Sequence, residues 1–442
     1  MIGLPKIQDA VLEGKVVLVR VDHNVVKKGK IDDPYRIERS KKTIEYIREQ
    51  HGFPVLMTHV GRPKDEKTGN ISINEEDSVH AVVEYLKQKW GYKVLVPEID
   101  QAMISPKGLP RLEPGAQRAV ESLKDGQADI VYLNNTRWYT GEEDKEGRAR
   151  SQLTSDFSAL ADVFVNDAFG SHQAHASTFW IARELPSFAG FLLQEEIEKL
   201  YTLIHIKGSE RPFLAIVAGE KISTKIGALS ALRKNADALL LGGLPLNAVL
   251  AARFNVAIHD VSPEEVDVAK RLLEEDKAEK KLLIPDSVVV SQVPCSKDIK
   301  RREGSYQKVT LTDGMDGKSI GFVYDVHPGS ISSPAIRENI AKASTIFTNA
   351  VMGFDKAGFV EGTQALYGLL SKADGKQYFG GGDTLKALQK YAPELYQKAV
   401  DTPERFTLFT GGGTILTGFE SRGVEQMKVI RALMESKKKF SP

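Results

Sequence analysis

Four clusters in the first half of the chain have the composition of an anion site: Arg20-Val-Asp-His-Asn24, His59-Val-Gly-Arg-Pro63, Asn134-Asn-Thr-Arg137 and Asn166-Asp-Ala-Phe-Gly-Ser-His-Gln-Ala-His175. Arginine suits phosphate or carboxylate because its planar fork donates two parallel hydrogen bonds, and imidazole and amide groups fill the acceptor positions that remain. Any one cluster is equally well explained by an arginine paired to a neighbouring acid or a histidine capping a turn. Repetition of the same chemistry is what favours a ligand. The second half carries glycine instead: Gly219 ahead of Lys221, Gly242-Gly243, Gly380-Gly-Gly-Asp383-Thr384 and Gly411-Gly-Gly-Thr414. With no Cβ in the way, such segments let backbone N–H groups and the positive end of a following helix reach phosphate oxygens. Asp383 stands where it would hold magnesium beside them. Lys221 and Lys225 are four apart, so on a helix both ammonium groups share a face and invite an anion between them, the alternative being a solvated basic face. Neither GxxxxGK[ST] nor GxGxxG occurs, which disfavours P-loop and ordinary dinucleotide folds.

The elements that must position these residues follow from hydrophobic period. Short apolar, β-branched runs, each closed by a Gly, Asn or Asp turn, alternate with stretches of 3.6-period amphipathic sequence. Strands are expected at Lys15–Val21, Pro54–His59, Lys93–Val96, Ile130–Asn134 and Val163–Asn166, with helices such as Arg36–Gln50 and Glu75–Trp90 between them. The pattern restarts at Phe213–Val217, Ala238–Leu241, Lys281–Ile284, Ser319–Val323, Thr345–Phe347, Gln377–Phe379 and Phe406–Phe409, which predicts a second sheet. Such alternation places the chain in the α/β class, as two three-layer domains with parallel sheets. Gly190–Ile206 reads as the helix that bridges them, with domains over residues 1–187 and 188–420. In open α/β sheets ligands sit beyond the carboxyl ends of the strands, and that is where the polar clusters fall.

Bulk properties bound the partners. A chain of 442 residues is long for one core, and a net charge of +1 provides no field to recruit nucleic acid or an anionic membrane. The single cysteine, Cys295, forms no internal disulfide, which fits a reducing, cytoplasmic setting. No apolar stretch approaches the roughly 20 residues of a membrane helix, and the start lacks the apolar core of a signal peptide. A soluble protein, monomeric rather than oligomeric, is expected.

At this point the residues resemble the phosphoglycerate kinase family, in order and over nearly the whole chain. Arg20-Val-Asp-His-Asn24, Asp32-Asp-Pro-Tyr-Arg-Ile37, His59-Val-Gly-Arg-Pro63, Arg137 with Glu142-Glu143, Val165-Asn-Asp-Ala-Phe-Gly170, the paired lysines and Gly380-Gly-Gly-Asp-Thr384 look like that family's motifs. Insert lengths and the Asn-Asn-Thr-Arg-Trp-Tyr segment look closer to archaeal members. The resemblance implies two Rossmann-like domains, 3-phosphoglycerate on the first, magnesium with ATP or ADP on the second, hinge closure, and a final segment, residues 421–442, returning to the first domain. Carried over residue by residue, Asp22, Asn24, Arg36, His59, Arg62, Arg137 and Gln173 would meet the acid. Gly219, Lys225, Gly242, Gly243, Asn349, Asp355, Gly381, Gly382, Asp383 and Thr384 would meet the nucleotide, with Asp383 on the metal. Arg36 and Lys221 would stabilise the transferring group and Lys225 neutralise phosphate.

Three segments depart from the family's pattern. Gln173 stands where an arginine is expected, Ala218-Gly-Glu-Lys221 replaces Gly-Gly-Ala-Lys, and Thr348-Asn-Ala-Val351 replaces Trp-Asn-Gly-Pro, leaving Asp355 as the nearest acid for the ribose. Gln173 donates hydrogen bonds but no charge, so protonated His172 and His175 would have to compensate, or the pocket takes another acid. Two rivals therefore stand beside the kinase reading: a paralogue acting on another phosphorylated carboxylate, and a non-catalytic nucleotide-binding relative.

Overall fold

A computed structural model describes residues 3–219 and 226–440. The chain forms two compact units, one of Met1–Lys199 with Val424–Pro442 and the other of Leu200–Gly423. The division falls inside the helix Phe191–Ile204, not ahead of it near residue 188.

The first unit is built on a parallel six-stranded sheet in the order Val94–Leu95, Ile130–Tyr132, Phe53–Met57, Val16–Val21, Val163–Asp167, Ser187–Ala189. Val16–Val21 is central and buried along its whole length, as a strand covered on both faces requires. It pairs with Phe53–Met57 on one side and Val163–Asp167 on the other, so Arg20 lies level with Met57 and Asn166. Successive strands run outward to one edge and then return to the far side of Val16–Val21. That reversal opens a crevice at the carboxyl ends of Val16–Val21 and Val163–Asp167. The edge strand Ser187–Ala189 was too short for the periodicity to reveal. Helix Tyr35–Glu49 covers the sheet through Ile37, Ile44 and Ile47. The expected helix over Glu75–Trp90 is broken: Ser78 is extended between a 3-10 turn at Glu75–Asp77 and the helix His80–Tyr85, and a π-turn follows over Leu86–Trp90.

In the second unit a parallel six-stranded sheet runs in the order Leu282–Leu283, Ala238–Leu241, Phe213–Val217, Thr345–Asn349, Lys376–Gly380, Phe406–Phe409. Its order reverses between Phe213–Val217 and Thr345–Asn349, again opening a crevice at the carboxyl ends. Ser319–Val323 does not belong to this sheet. It extends to Ser319–Val326 and joins a separate four-stranded sheet, pairing parallel with Ala257–Ile258 and antiparallel with Ser287–Ser291, which pairs antiparallel in turn with Tyr306–Thr310. Tyr306–Thr310 alternates half-buried and exposed residues, so its apolar signal is weak. No helix among the described residues is long and apolar enough to cross a membrane.

The last helix, Lys428–Phe440, belongs to the first unit. Val429, Ile430, Ala432 and Leu433 are buried, and Ser436 Oγ and Lys439 Nζ donate to the Leu185 and Arg183 carbonyls.

Helix Phe191–Ile204 is capped from outside its own sequence. Asp167, at the end of its strand, accepts from the N–H groups of Leu192 and Leu193 at 2.9 and 3.2 Å, while Thr43 Oγ1 accepts from Phe191 at 2.9 Å. Burial pushes the Asp167 carboxyl from 3.8 up to about 6, against the pull of those donors. A carboxyl raised in the folded state contributes most stability while protonated and loses it as pH climbs past that value. Urea unfolding at pH 4 and pH 7 should show the native protein losing about 3 kcal/mol relative to Asp167→Asn over this window. Parallel pH curves for the two proteins would contradict the assignment.

Candidate functional site

Arg20 is the pivot of the first unit's crevice. Its side chain is 1% exposed, and burial lowers its pKa, but Arg20 remains a cation and needs acceptors. Nε donates to Ser177 Oγ at 2.9 Å, Nη1 to the Val21 carbonyl, and Nη2 to His59 Nδ1 at 2.8 Å and Ser171 Oγ at 3.4 Å. Ser177 passes its own proton to Glu142 Oε1 at 2.6 Å, which places a buried carboxylate behind the guanidinium. Guanidinium has no acceptor, so His59 Nδ1 must be the unprotonated nitrogen and Nε2 carries the hydrogen. Burial, then Arg20, Arg137 and Arg36 beside it, hold the His59 imidazole well below its ordinary pKa.

The remaining groups are set around this pivot. Arg36, in the first turn of Tyr35–Glu49, pairs with Asp22 Oδ2 at 3.2 Å. Asp22 is buried, and its Oδ1 has no hydrogen-bond partner. Neutral His23 fastens that helix: Ser40 Oγ gives its proton to the Ile37 carbonyl and so accepts from Nε2, while Tyr132 donates to Nδ1. Burial, with Arg20 nearby, pushes His23 down to about 3. Gly61 joins two clusters, its N–H donating to Asn24 Oδ1 at 2.9 Å and its carbonyl accepting from Arg137 Nη1 at 2.6 Å. Arg137 also holds Glu143 through Nε at 2.8 Å. Arg62 is exposed next to Gly61.

Gln173 stands apart from this set. It is exposed and its amide meets the neighbouring His172 at 3.3 Å. Burial lowers both His172 and His175, which works against either carrying charge near neutral pH.

In the second unit, glycines sit where backbones nearly touch. Gly243 has a φ of +58°, and a Cβ on it would lie 2.5 Å from the Gly219 nitrogen, so both residues need the freedom only glycine has. Gly242 caps helix Gly243–Phe254, and a Cβ there would meet Met352 Sδ at 2.2 Å. The triglycines open helices Gly382–Tyr391 and Gly412–Glu420. Between them lies Asn349, whose Nδ2 donates to the Gly380 carbonyl and would lie 2.4 Å from a Cβ at Gly412 and 2.9 Å from one at Gly381. Buried Tyr367 ties this floor together, its hydroxyl within reach of the Ala350 and Thr384 carbonyls at 3.2 and 3.3 Å. Asp383 is exposed in the first helical turn and Thr384 is buried behind it. Asp355 lies on the separate 3-10 turn Asp355–Ala357. Lys221 and Lys225 lie outside the described residues.

Among the described residues no three His, Cys, Asp or Glu side chains converge as a metal cage. Magnesium is held by one or two carboxylates together with phosphate oxygens and water, so an exposed carboxylate in the first turn of a glycine-opened helix, next to the second triglycine segment, fits an ion that arrives with a nucleotide.

Sequence reasoning placed Arg20 in a motif but gave it no role, and it missed Glu142 and Ser177 as the groups that orient it. Nothing in the sequence links Glu142 to Ser177; only the fold does.

The phosphoglycerate kinase family model matches residues 7–422. A phosphoglycerate kinase of Pseudothermotoga lettingae is 32% identical over 98% of this chain and 99% of its own length, and one of Roseiflexus sp. is 35% identical over 94% and 96%. The phosphoglycerate kinase structure from Coxiella burnetii superposes with a TM-score of 0.68 at 28% identity, covering 99% of this chain and all of that one. The structure from Pyrococcus horikoshii, at TM-score 0.71 and 22% identity, shares the fold.

Gly412→Ala should push the Asn349 amide off the Gly380 carbonyl and weaken nucleotide binding at least tenfold, leaving acid binding unchanged. Calorimetric titration with each ligand checks this. Unaltered nucleotide affinity would remove Asn349 from the site.

Proposed function

The chain belongs to the phosphoglycerate kinase family, so its reaction is glycolytic phosphoryl transfer between ATP and the carboxylate of 3-phosphoglycerate, and we propose how its own residues bring that reaction about. A carboxylate oxygen forms a bond to the γ-phosphorus as the bond to the ADP oxygen breaks. No proton moves, so no general base is needed. The difficulty is that anion meets anion, and catalysis is positioning plus charge neutralisation.

On the acid side, Arg62, Arg137 and Arg36 supply charge, and neutral His59 supplies an Nε2–H donor. The unpartnered Asp22 Oδ1 supports a hydroxyl recognition role, since a buried carboxylate oxygen beside a cationic crevice is stabilised by accepting from the substrate hydroxyl. Arg36 also faces the transferring group. On the nucleotide side, the backbone at Gly219, Gly242–Gly243, Gly381–Gly382 and Gly412 presents donors to phosphate, with Asn349 and Thr384 fixing their spacing. Asp383 holds magnesium, which lowers the charge on the phosphates. Lys221 and Lys225 enter from the sequence alone, Lys221 at the transferring group and Lys225 on phosphate. The observation that carries the nucleotide assignment is the meeting of the two triglycine segments at Asn349. Asp355 is retained as the ribose contact only on its place in the sequence. The reading takes the enzyme as a cytoplasmic monomer without nucleic-acid or membrane partners, in keeping with its net charge of +1.

Exposed Gln173 is an uncharged rim group on this reading, and burial holds His59, His172 and His175 below the ordinary imidazole value. A coupled assay of ADP formation should therefore give an apparent affinity for 3-phosphoglycerate that is flat between about pH 8 and 7. Gln173→Arg should tighten it roughly tenfold at both pH values. A native affinity that strengthens steeply from pH 8 to 7, or an arginine variant that no longer turns over 3-phosphoglycerate, would contradict the assignment.

A further inference from the structure

Asn135 is fully buried, and all of its side-chain hydrogen-bonding capacity is used. Its Oδ1 accepts from the N–H groups of Val60 and Arg137, both at 3.0 Å. Its Nδ2 donates to the carbonyls of Val60 and Asp77, both at 2.8 Å. Two accepted and two donated bonds are the full complement of one carboxamide in this arrangement. The partners are not arbitrary. Val60 lies between His59 and Gly61-Arg62, and Arg137 is the residue whose guanidinium reaches back to the Gly61 carbonyl. Asp77 in turn packs over Gly61, where a Cβ would lie 2.3 Å from its Oδ1. One amide therefore joins the strand end bearing Arg137 to two segments remote from it in sequence, one bearing the acid-side donors His59 and Arg62 and the other bearing Asp77, which packs over Gly61.

We propose that Asn135 is the positioning residue of the acid site: without touching the acid, it sets the register between the strand end bearing His59 and Arg62 and the one bearing Arg137. This rests on the assignment of those side chains to 3-phosphoglycerate. No other side-chain type supplies two acceptor and two donor positions at this length. Aspartate keeps the acceptor oxygen facing Val60 and Arg137 but sets its second oxygen against the Val60 and Asp77 carbonyls. Alanine loses all four bonds. Since the misplaced donors hold the acid equally in its ground and transition states, the loss should appear in KM and not in kcat.

Steady-state kinetics of the full chain test this in Asn135→Ala, Asn135→Asp and Arg137→Ala. The KM for 3-phosphoglycerate should rise at least tenfold in Asn135→Ala and by a smaller factor in Asn135→Asp, with kcat and the KM for ATP within about twofold of the native values. Asn135→Asp keeps the test open if the alanine variant does not fold. An acid KM within twofold of native in Asn135→Asp, or KM values for acid and ATP that rise together, would overturn the inference. An Arg137→Ala variant with native acid KM would instead sink the assignment of the acid site on which it rests.

Discussion

A guanidinium buried at the carboxyl end of the central strand constrains everything around it. Arg20 cannot be neutralised by losing a proton, so each of its donors has to find an acceptor inside the fold. Ser177, backed by Glu142, meets one; the Val21 carbonyl, His59 and Ser171 meet the others. These partners come from four different segments, so satisfying one cation fixes the loop after Phe53–Met57, the turn at Glu142 and the segment Ser171–Ser177 together. It also decides chemistry. Because Arg20 only donates, His59 presents Nε2–H and stays neutral, a donor that adds no charge to repel the arginines around it.

The two units solve one problem, an anion at the carboxyl end of a parallel sheet, by different means. The first uses side chains, and long cationic side chains need bracing: Asp22 against Arg36, Glu143 and the Gly61 carbonyl against Arg137, His23 under the helix that carries Arg36. The second uses backbone, and backbone needs the absence of side chains. Gly243 against Gly219, and Gly381 and Gly412 against Asn349, are spaced so closely that a single methyl group would collide. Rigidity comes there from Tyr367 and from the strand ends themselves.

Much of this was legible in the sequence. Parallel strands read as unbroken apolar runs, so the central strands were found within a residue or two, and the residues following them gave the site clusters. Largely exposed Tyr306–Thr310 does not read that way and was missed; Ser287–Ser291 is buried but short, three valines between serines, and Ser319–Val323 was assigned to the wrong sheet because an apolar run does not say which strand it pairs with. Motifs named Arg36, His59 and Arg137 but not what holds them. Glu142 meets Ser177, Asp167 caps Leu192 and Asn135 reaches Val60 and Asp77 only because the chain has folded. Protonation is hidden from the sequence for the same reason: burial, which a motif does not reveal, lowers His172 and His175.

The state of His59 is where these arguments meet. Nitrogen-15 chemical shifts of the histidine side chains, recorded at pH 7 on the uniformly labelled full chain and assigned with a His59→Gln variant, report protonation and tautomer directly. The account predicts a neutral ring with its hydrogen on Nε2, unchanged in form down to about pH 6 and shifted at Nε2 when 3-phosphoglycerate is added. An imidazolium at pH 7, or a hydrogen on Nδ1, would mean that Arg20 does not organise the crevice as described.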